Sequence, residues 1–275
     1  AMTSKTSSSA AVDHEVVIVG AGFSGLGAGI KLREAGIEDF VILDAADGVG
    51  GVWRHNTYPG VAVDIPSTTY SYSFEPNPGW SRAFAPGREL RAYAEHCADK
   101  YDLRRHLRLH TYVEQAVFDE RLDVWRVHTS EGVITTRFLV GAVGPLDKPH
   151  MPDIEGVARF AGQVIHTARW NHDADLRGKR IAVIGTGASA LQLIPEIAGG
   201  AQQLDVYQRT AIWVMPKVDF AIAREVQALF EAAPPTQQLM RVVTSAATEV
   251  IMVLGVVQHT KFPFLVRAME QVCKQ

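Results

Sequence analysis

Two groups of small residues carry the most specific chemistry in this sequence. Gly20, Gly22 and Gly25 stand in G-x-G-x-x-G spacing. Gly185, Gly187 and Ser189, with Ala190 next, repeat the pattern as a G-x-G-x-x-S/A variant. The first glycine of such a group permits a tight turn, the second lets backbone approach a pyrophosphate, and the third lets a helix pack closely on a strand. A helix that starts there offers its unpaired N–H groups to phosphate oxygens. Asp44 lies 24 residues after Gly20, where a carboxylate accepts from ribose hydroxyls, and Arg209 lies 24 residues after Gly185. An arginine there neutralises a ribose 2′-phosphate, which an acid would repel. The first group is therefore expected to hold FAD. The second, with Thr186, Ala188 and Thr210 beside its fixed residues, is expected to hold NADPH/NADP+. Two dinucleotide sites in one chain point to electron transfer between two cofactors.

The elements that must position these residues are legible around them. Glu15 to Val19 is a compact β-branched run that reads as a buried parallel strand. Leu26 to Ala35 reads as a helix stopped by Gly36, and Phe40 to Leu43 as a second strand ending at Asp44. The order recurs as strand Arg180 to Ile184, helix Ala188 to Ala198 with Pro195 inside it, and strand Leu204 to Tyr207. Beyond Ala211 only helices are expected: Glu225 to Glu231, Thr236 to Val257 and Leu265 to Lys274, with breaks at Pro234-Pro235 and Pro263. The most apolar window, Val242 to Val257, is short of the roughly 20 residues a membrane span needs and reads as a buried helix, with a helix lying on a membrane surface as the alternative.

Between the glycine groups, Phe160, Gly162, His166 and Trp170 fit the spacing F-x-G-x-x-x-H-x-x-x-W. This resembles the signature of Baeyer–Villiger monooxygenases, with Asn171 where that family has Pro or Asp. Gly50-Gly51-Val52-Trp53, then Tyr58-Pro59-Gly60, Asp64 and Tyr70, resemble the segment that lies beside the flavin in that family, with Val52 in place of a commoner Thr. The resemblance covers roughly residues 14 to 217. It implies that Gly51, Val52, Trp53, Asp64 and Tyr70 face FAD, and it makes Asp64, His166 and Trp170 the candidate catalytic positions. His166 is expected to influence how the two nucleotide domains are arranged rather than to transfer a proton. The resemblance also implies NADPH- and O2-dependent insertion of oxygen beside a ketone carbonyl, giving an ester or lactone. An arginine in that family balances a negatively charged oxygen intermediate. None of Arg224, Arg241 and Arg267 has its surroundings. Two other readings stay open: a monooxygenase that oxidises sulfur or nitrogen, and a nucleotide-binding fragment without catalysis.

Bulk properties bound the answer. Apolar residues are 47% and charged residues 21%, as in globular proteins with a sizeable core, and the net charge of −3 excludes a dedicated nucleic-acid binder. Cys97 and Cys273 lie far apart, so no disulfide framework or metal site is expected, and a cytoplasmic location fits. The expected fold is α/β with two Rossmann-like dinucleotide-binding domains, FAD and NADPH, both incomplete in this chain, and a helical C-terminal segment. The division drawn from sequence is a tail over 1–12, an FAD-binding domain over 13–148 and an NADPH-binding domain over 149–275, helical from 220. After Gly185 only 90 residues follow. The family's chain must return to complete both sheets, so a second chain supplying the C-terminal half is among the expectations.

Overall fold

In the computed structural model, Val16, Val17, Ile18 and all of Phe40 to Leu43 are buried, as the two apolar runs require. The structure describes residues 11–250 except Asp147, Trp213, Met215 and Pro216, together with Val253, Lys261, Arg267 and Gln271. The chain divides into two compact units. One holds residues 1–55 and 90–157, the other 56–89 and 158–275.

The first unit is built on strand β1 (His14–Val19), helix α1 (Phe23–Glu34), strand β2 (Phe40–Leu43), the single turn α2 (Val52–His55), helix α3 (Gly87–Lys100) and strands β3 (Leu107–Arg108), β4 (Val113–Asp119), β5 (Val124–Thr129) and β6 (Gly132–Gly141). Its sheet runs β3-β2-β1-β6-β5-β4. The β3, β2, β1 and β6 neighbours pair in parallel, and β6, β5 and β4 form an antiparallel meander. Helix α1 turns Gly25, Leu26, Gly29 and Ile30 inward. A Cβ on Gly29 would lie 3.0 Å from Ile42 Cδ1, so the glycine sets how closely α1 seats on β2. Full burial of side chains such as Ile18, Leu26 and Leu43 stabilises by about 1.5–3 kcal/mol each. Gly36, at φ +77°, ends the helix, and its N–H donates to the Arg33 carbonyl.

The second unit repeats the opening of the first. Strand β7 (Arg180–Ile184), helix α4 (Ala188–Ala198) and strand β8 (Gln203–Tyr207) form a parallel β-α-β. Among the described residues its sheet has these two strands. Helices α5 (Arg224–Ala232) and α6 (Pro234–Val250) follow, and Pro234 occupies the first turn of α6, where its missing N–H costs nothing.

Residues 56–89 pack within the second unit. One departure from the sequence-based expectation concerns placement. The buried-helix reading of Val242 to Val257 is corrected over its described part: Val242, Val243 and Val250 are exposed, and Gln237 is the buried residue of α6. The cause is a polar docking face. Gln237 Nε2 donates to Asn77 O, Arg241 Nη1 donates to the carbonyls of Thr68 and Ser71, and Thr244 Oγ1 lies 3.2 Å from Thr69 Oγ1. Residues 237, 241 and 244 share one helix face, which turns the valines outward. The remainder of that window and the expected helix Leu265 to Lys274 lie largely outside the described residues.

Candidate nucleotide-binding sites

Both glycine turns have the same backbone. Gly20 has φ +107° and Gly185 φ +105°. Gly20 N–H donates to Leu43 O at 2.7 Å, and Gly185 N–H to Tyr207 O at 2.8 Å. Gly22 and Gly187 are extended N-caps with no side-chain cap, and neither following helix has an acid in its first turn. Helix N-termini left without their own acidic or hydroxyl cap are suited to an anion.

In the first unit each small residue meets a steric demand. A Cβ on Gly25 would fall 1.8 Å from Gly20 O, so α1 starts against the turn itself. A Cβ on Gly22 would be 3.6 Å from Gly51 Cα, so the Gly50-Gly51 loop passes over the turn with two bare backbones facing each other. Val52 and Trp53 follow on α2, both half-buried. Asp44 follows β2, where its Oδ2 accepts from Ala21 N–H at 2.6 Å and its Oδ1 from Ala46 N–H at 2.8 Å. A carboxylate has about four acceptor positions, so capacity for ribose hydroxyls is left. Arg54, not anticipated from the sequence, lies against Gly48 and donates through Nε to Asp47 Oδ1 at 2.7 Å. That bond holds the Asp47 carboxyl at about 2, well below its usual range. The signal for it is local: a glycine-rich loop of that length needs a side chain to brace it.

In the second unit, Thr186 and Ser189 are half-buried while Gly187, Ala188, Arg209 and Thr210 are exposed. The strand pairing refines the place of Arg209. Val19 pairs with Leu43, and Ile184 with Tyr207. The structural counterpart of Asp44 is thus Gln208, and Arg209 is one residue further on, because the second loop from turn to strand end is one residue shorter. The third place of the second group, three residues after Gly187 as Gly25 is three after Gly22, is the buried Ala190, and Ser189 is the counterpart of Ser24.

The signature residues also lie in this unit. A Cβ on Gly162 would meet the ring of the exposed Phe160 at 2.5 Å. His166 caps a single 3-10 turn (Thr167–Arg169), its Nδ1 accepting from Ala168 N–H at 3.1 Å. In the neutral ring this leaves the proton on Nε2. Trp170 packs with Val61 and Leu176 against a core of Tyr58, Leu193 and Ile197. Asp64 is exposed and Tyr70 half-buried, on a loop whose carbonyls anchor α6. Lys217, unforeseen from sequence, donates through Nζ to Val63 O at 2.9 Å and sits over the Phe84 ring. Burial pushes its amine below the usual lysine range, against the opposing charges of Asp219 and Asp64.

The fold and the paired turns define an α/β protein with two dinucleotide-type sites. The chain belongs to the pyridine nucleotide-disulphide oxidoreductase family, whose model matches residues 17–261. A Baeyer–Villiger monooxygenase of Streptomyces coelicolor is 46% identical over 260 residues, which is 94% of this chain and 49% of that protein. Among solved structures, an oxidized steroid monooxygenase bound to NADP is 45% identical with a TM-score of 0.74, covering 80% of this chain and 43% of that one. The OTEMO complex with FAD and NADP is 36% identical with a TM-score of 0.77, covering 82% of this chain and 45% of that one. The chain thus spans about half the length of the curated relatives it matches. The relatives agree with the resemblance drawn from the motifs. No helix among the described residues is long and apolar enough to cross a membrane.

Proposed function

We propose that this chain supplies the FAD and NADPH sites of a Baeyer–Villiger monooxygenase, which oxidises NADPH and inserts one atom of O2 beside a ketone carbonyl to give an ester or lactone, the other atom leaving as water. The observation that carries the reading is the duplicated turn: two glycines at φ +107° and +105°, each bonded to the end of the neighbouring strand. The bare backbones of Gly22 and Gly51 fit the pyrophosphate of a flavin dinucleotide, which a side chain at either position would crowd. The exposed Arg209 fits a 2′-phosphate.

When bound, the cofactors supply the hydride and the oxygen-activating ring. The chain's own residues bind and orient. Gly20, Gly22 and Gly25 shape the first turn, Asp44 holds the ribose, and Gly51, Val52 and Trp53 line the flavin side. Gly185, Thr186, Gly187, Ala188 and Ser189 shape the second turn, with Arg209 and Thr210 at the ribose phosphate. Asp64 and Tyr70 are assigned to the flavin face. Asp64 orients a cationic partner near the reacting oxygen, and His166 and Trp170 set the frame of the second unit. The ketone pocket is completed by a counterpart of the half of the relatives that this chain does not match.

Product analysis with NADPH, O2 and the polypeptide carrying that counterpart tests the reading, with a cyclic ketone offered beside a thioether. Lactone formation is expected. Sulfoxide without any lactone would move the assignment to heteroatom oxidation, and no turnover with either would favour a binding role.

A further inference from the structure

The Asp64 loop is tied to helix α4 by one side chain. Gln192, in the second turn of α4, accepts at Oε1 from the Tyr58 hydroxyl at 2.9 Å and from Ala62 N–H at 3.3 Å, and donates through Nε2 to Ala62 O at 2.9 Å. One amide therefore takes both backbone groups of Ala62, the residue two before Asp64. The approach is close: a Cβ on Gly60, at φ +81°, would fall 2.4 Å from the Gln192 carbonyl oxygen. The Tyr58 ring is buried against Leu193 and Ile197, on the same helix. Burial pushes its phenol above the usual tyrosine range. His172 Nε2 fastens Thr57 Oγ1 at 2.8 Å. Residues 57–62 are thus held at Thr57, Tyr58 and Ala62, and a path from the second glycine turn to Asp64 runs along helix α4 to Gln192 and across to Ala62.

We infer that Gln192 is a positioning residue that makes the Asp64 loop and the second glycine turn move as one body, so that a dinucleotide on that turn orders the loop. The inference rests on the nucleotide reading of that turn. Packing alone does not call for a polar side chain here: an apolar residue would pack equally well beside Leu193, while an amide matches one donor and one acceptor on the same residue's backbone. Coupling of this kind is a population shift, and it appears as ligand-dependent protection of a segment the ligand does not touch.

Hydrogen exchange of this chain with and without NADP+ tests it, read at residues 186–192 and 56–66. With the parent chain, NADP+ should slow exchange at both segments by about tenfold. In Gln192→Met the turn should still be protected while residues 56–66 no longer respond. Tyr58→Phe, which removes one bond and keeps the ring, should give an intermediate response and serves if the first variant is poorly folded. Protection of both segments in Gln192→Met, equal to the parent, overturns the inference. So does protection of the turn alone in the parent. Absence of protection at the turn itself contradicts the nucleotide reading and the coupling with it.

Discussion

The amide of Gly185 donates to the carbonyl of Tyr207 at 2.8 Å, which locks the second glycine turn to the end of strand β8. The residues that follow Tyr207 therefore emerge beside the turn, and Arg209 is the exposed cation among them. Arg209→Ala should weaken NADP+ by about tenfold or more, the worth of a charge-assisted hydrogen bond, and leave NAD+ within about twofold. Parallel titrations with the two nucleotides check this. Equal losses with both would remove the phosphate role.

Gly25 and Gly22 separate folding from binding. A Cβ at Gly25 overlaps Gly20 O at 1.8 Å, while one at Gly22 meets Gly51 Cα at an ordinary 3.6 Å. Gly25→Ala should lower stability by about 3 kcal/mol. Gly22→Ala should change it by less than about 1 kcal/mol and yet abolish FAD binding, because the methyl group occupies the phosphate approach. Denaturant curves and flavin titration of both variants give the comparison.

The brace under the first turn predicts a pH response. The Arg54 guanidinium bonded to Asp47 lowers that carboxyl to about 2. A folded-state value below the unfolded one means that the stabilisation is full above the ordinary carboxylate range near 4. It is lost as pH falls through about 2. A carboxyl NMR titration should find Asp47 at about 2, and Arg54→Met should return it to the ordinary range.

Trp170 is half-buried against the core of Tyr58, Leu193 and Ile197. Trp170→Ala should cost about 2 kcal/mol, less than a fully buried aromatic, and Trp170→Phe about half of that. Thermal unfolding of the second unit reports it. An unchanged unfolding transition would mean that the ring matters only to ligands.

Residue order makes much of this fold legible. The strands that lead into both glycine groups follow from apolar runs rich in β-branched residues that end in glycine, and the observed β2, β7 and α4 match the sequence bounds. The β4-β5-β6 meander leaves a weaker mark. Its exposed positions interrupt the apolar pattern, and its turns rest on Asp123 at φ +56° and Gly132 at φ +129° rather than on a Pro-Gly signal. Counting residues matches Arg209 to Asp44 and overlooks a loop shorter by one residue; only the strand register corrects it. Helix α6 has an apolar composition and a polar docking face, so periodicity alone misassigns which side is inward. Gln192 bonds a backbone carbonyl 130 residues away and Lys217 one 154 residues away, and such pairings leave no local trace.

The central claim is that one chain holds two different dinucleotides at two separate turns. Simultaneous equilibrium binding of FAD and NADP+ to this chain measures it directly. The account predicts one equivalent of each, with neither displacing the other, and loss of FAD alone in Gly22→Ala. A single shared site, seen as mutual displacement, or retention of FAD when Gly22 carries a methyl group, would contradict it.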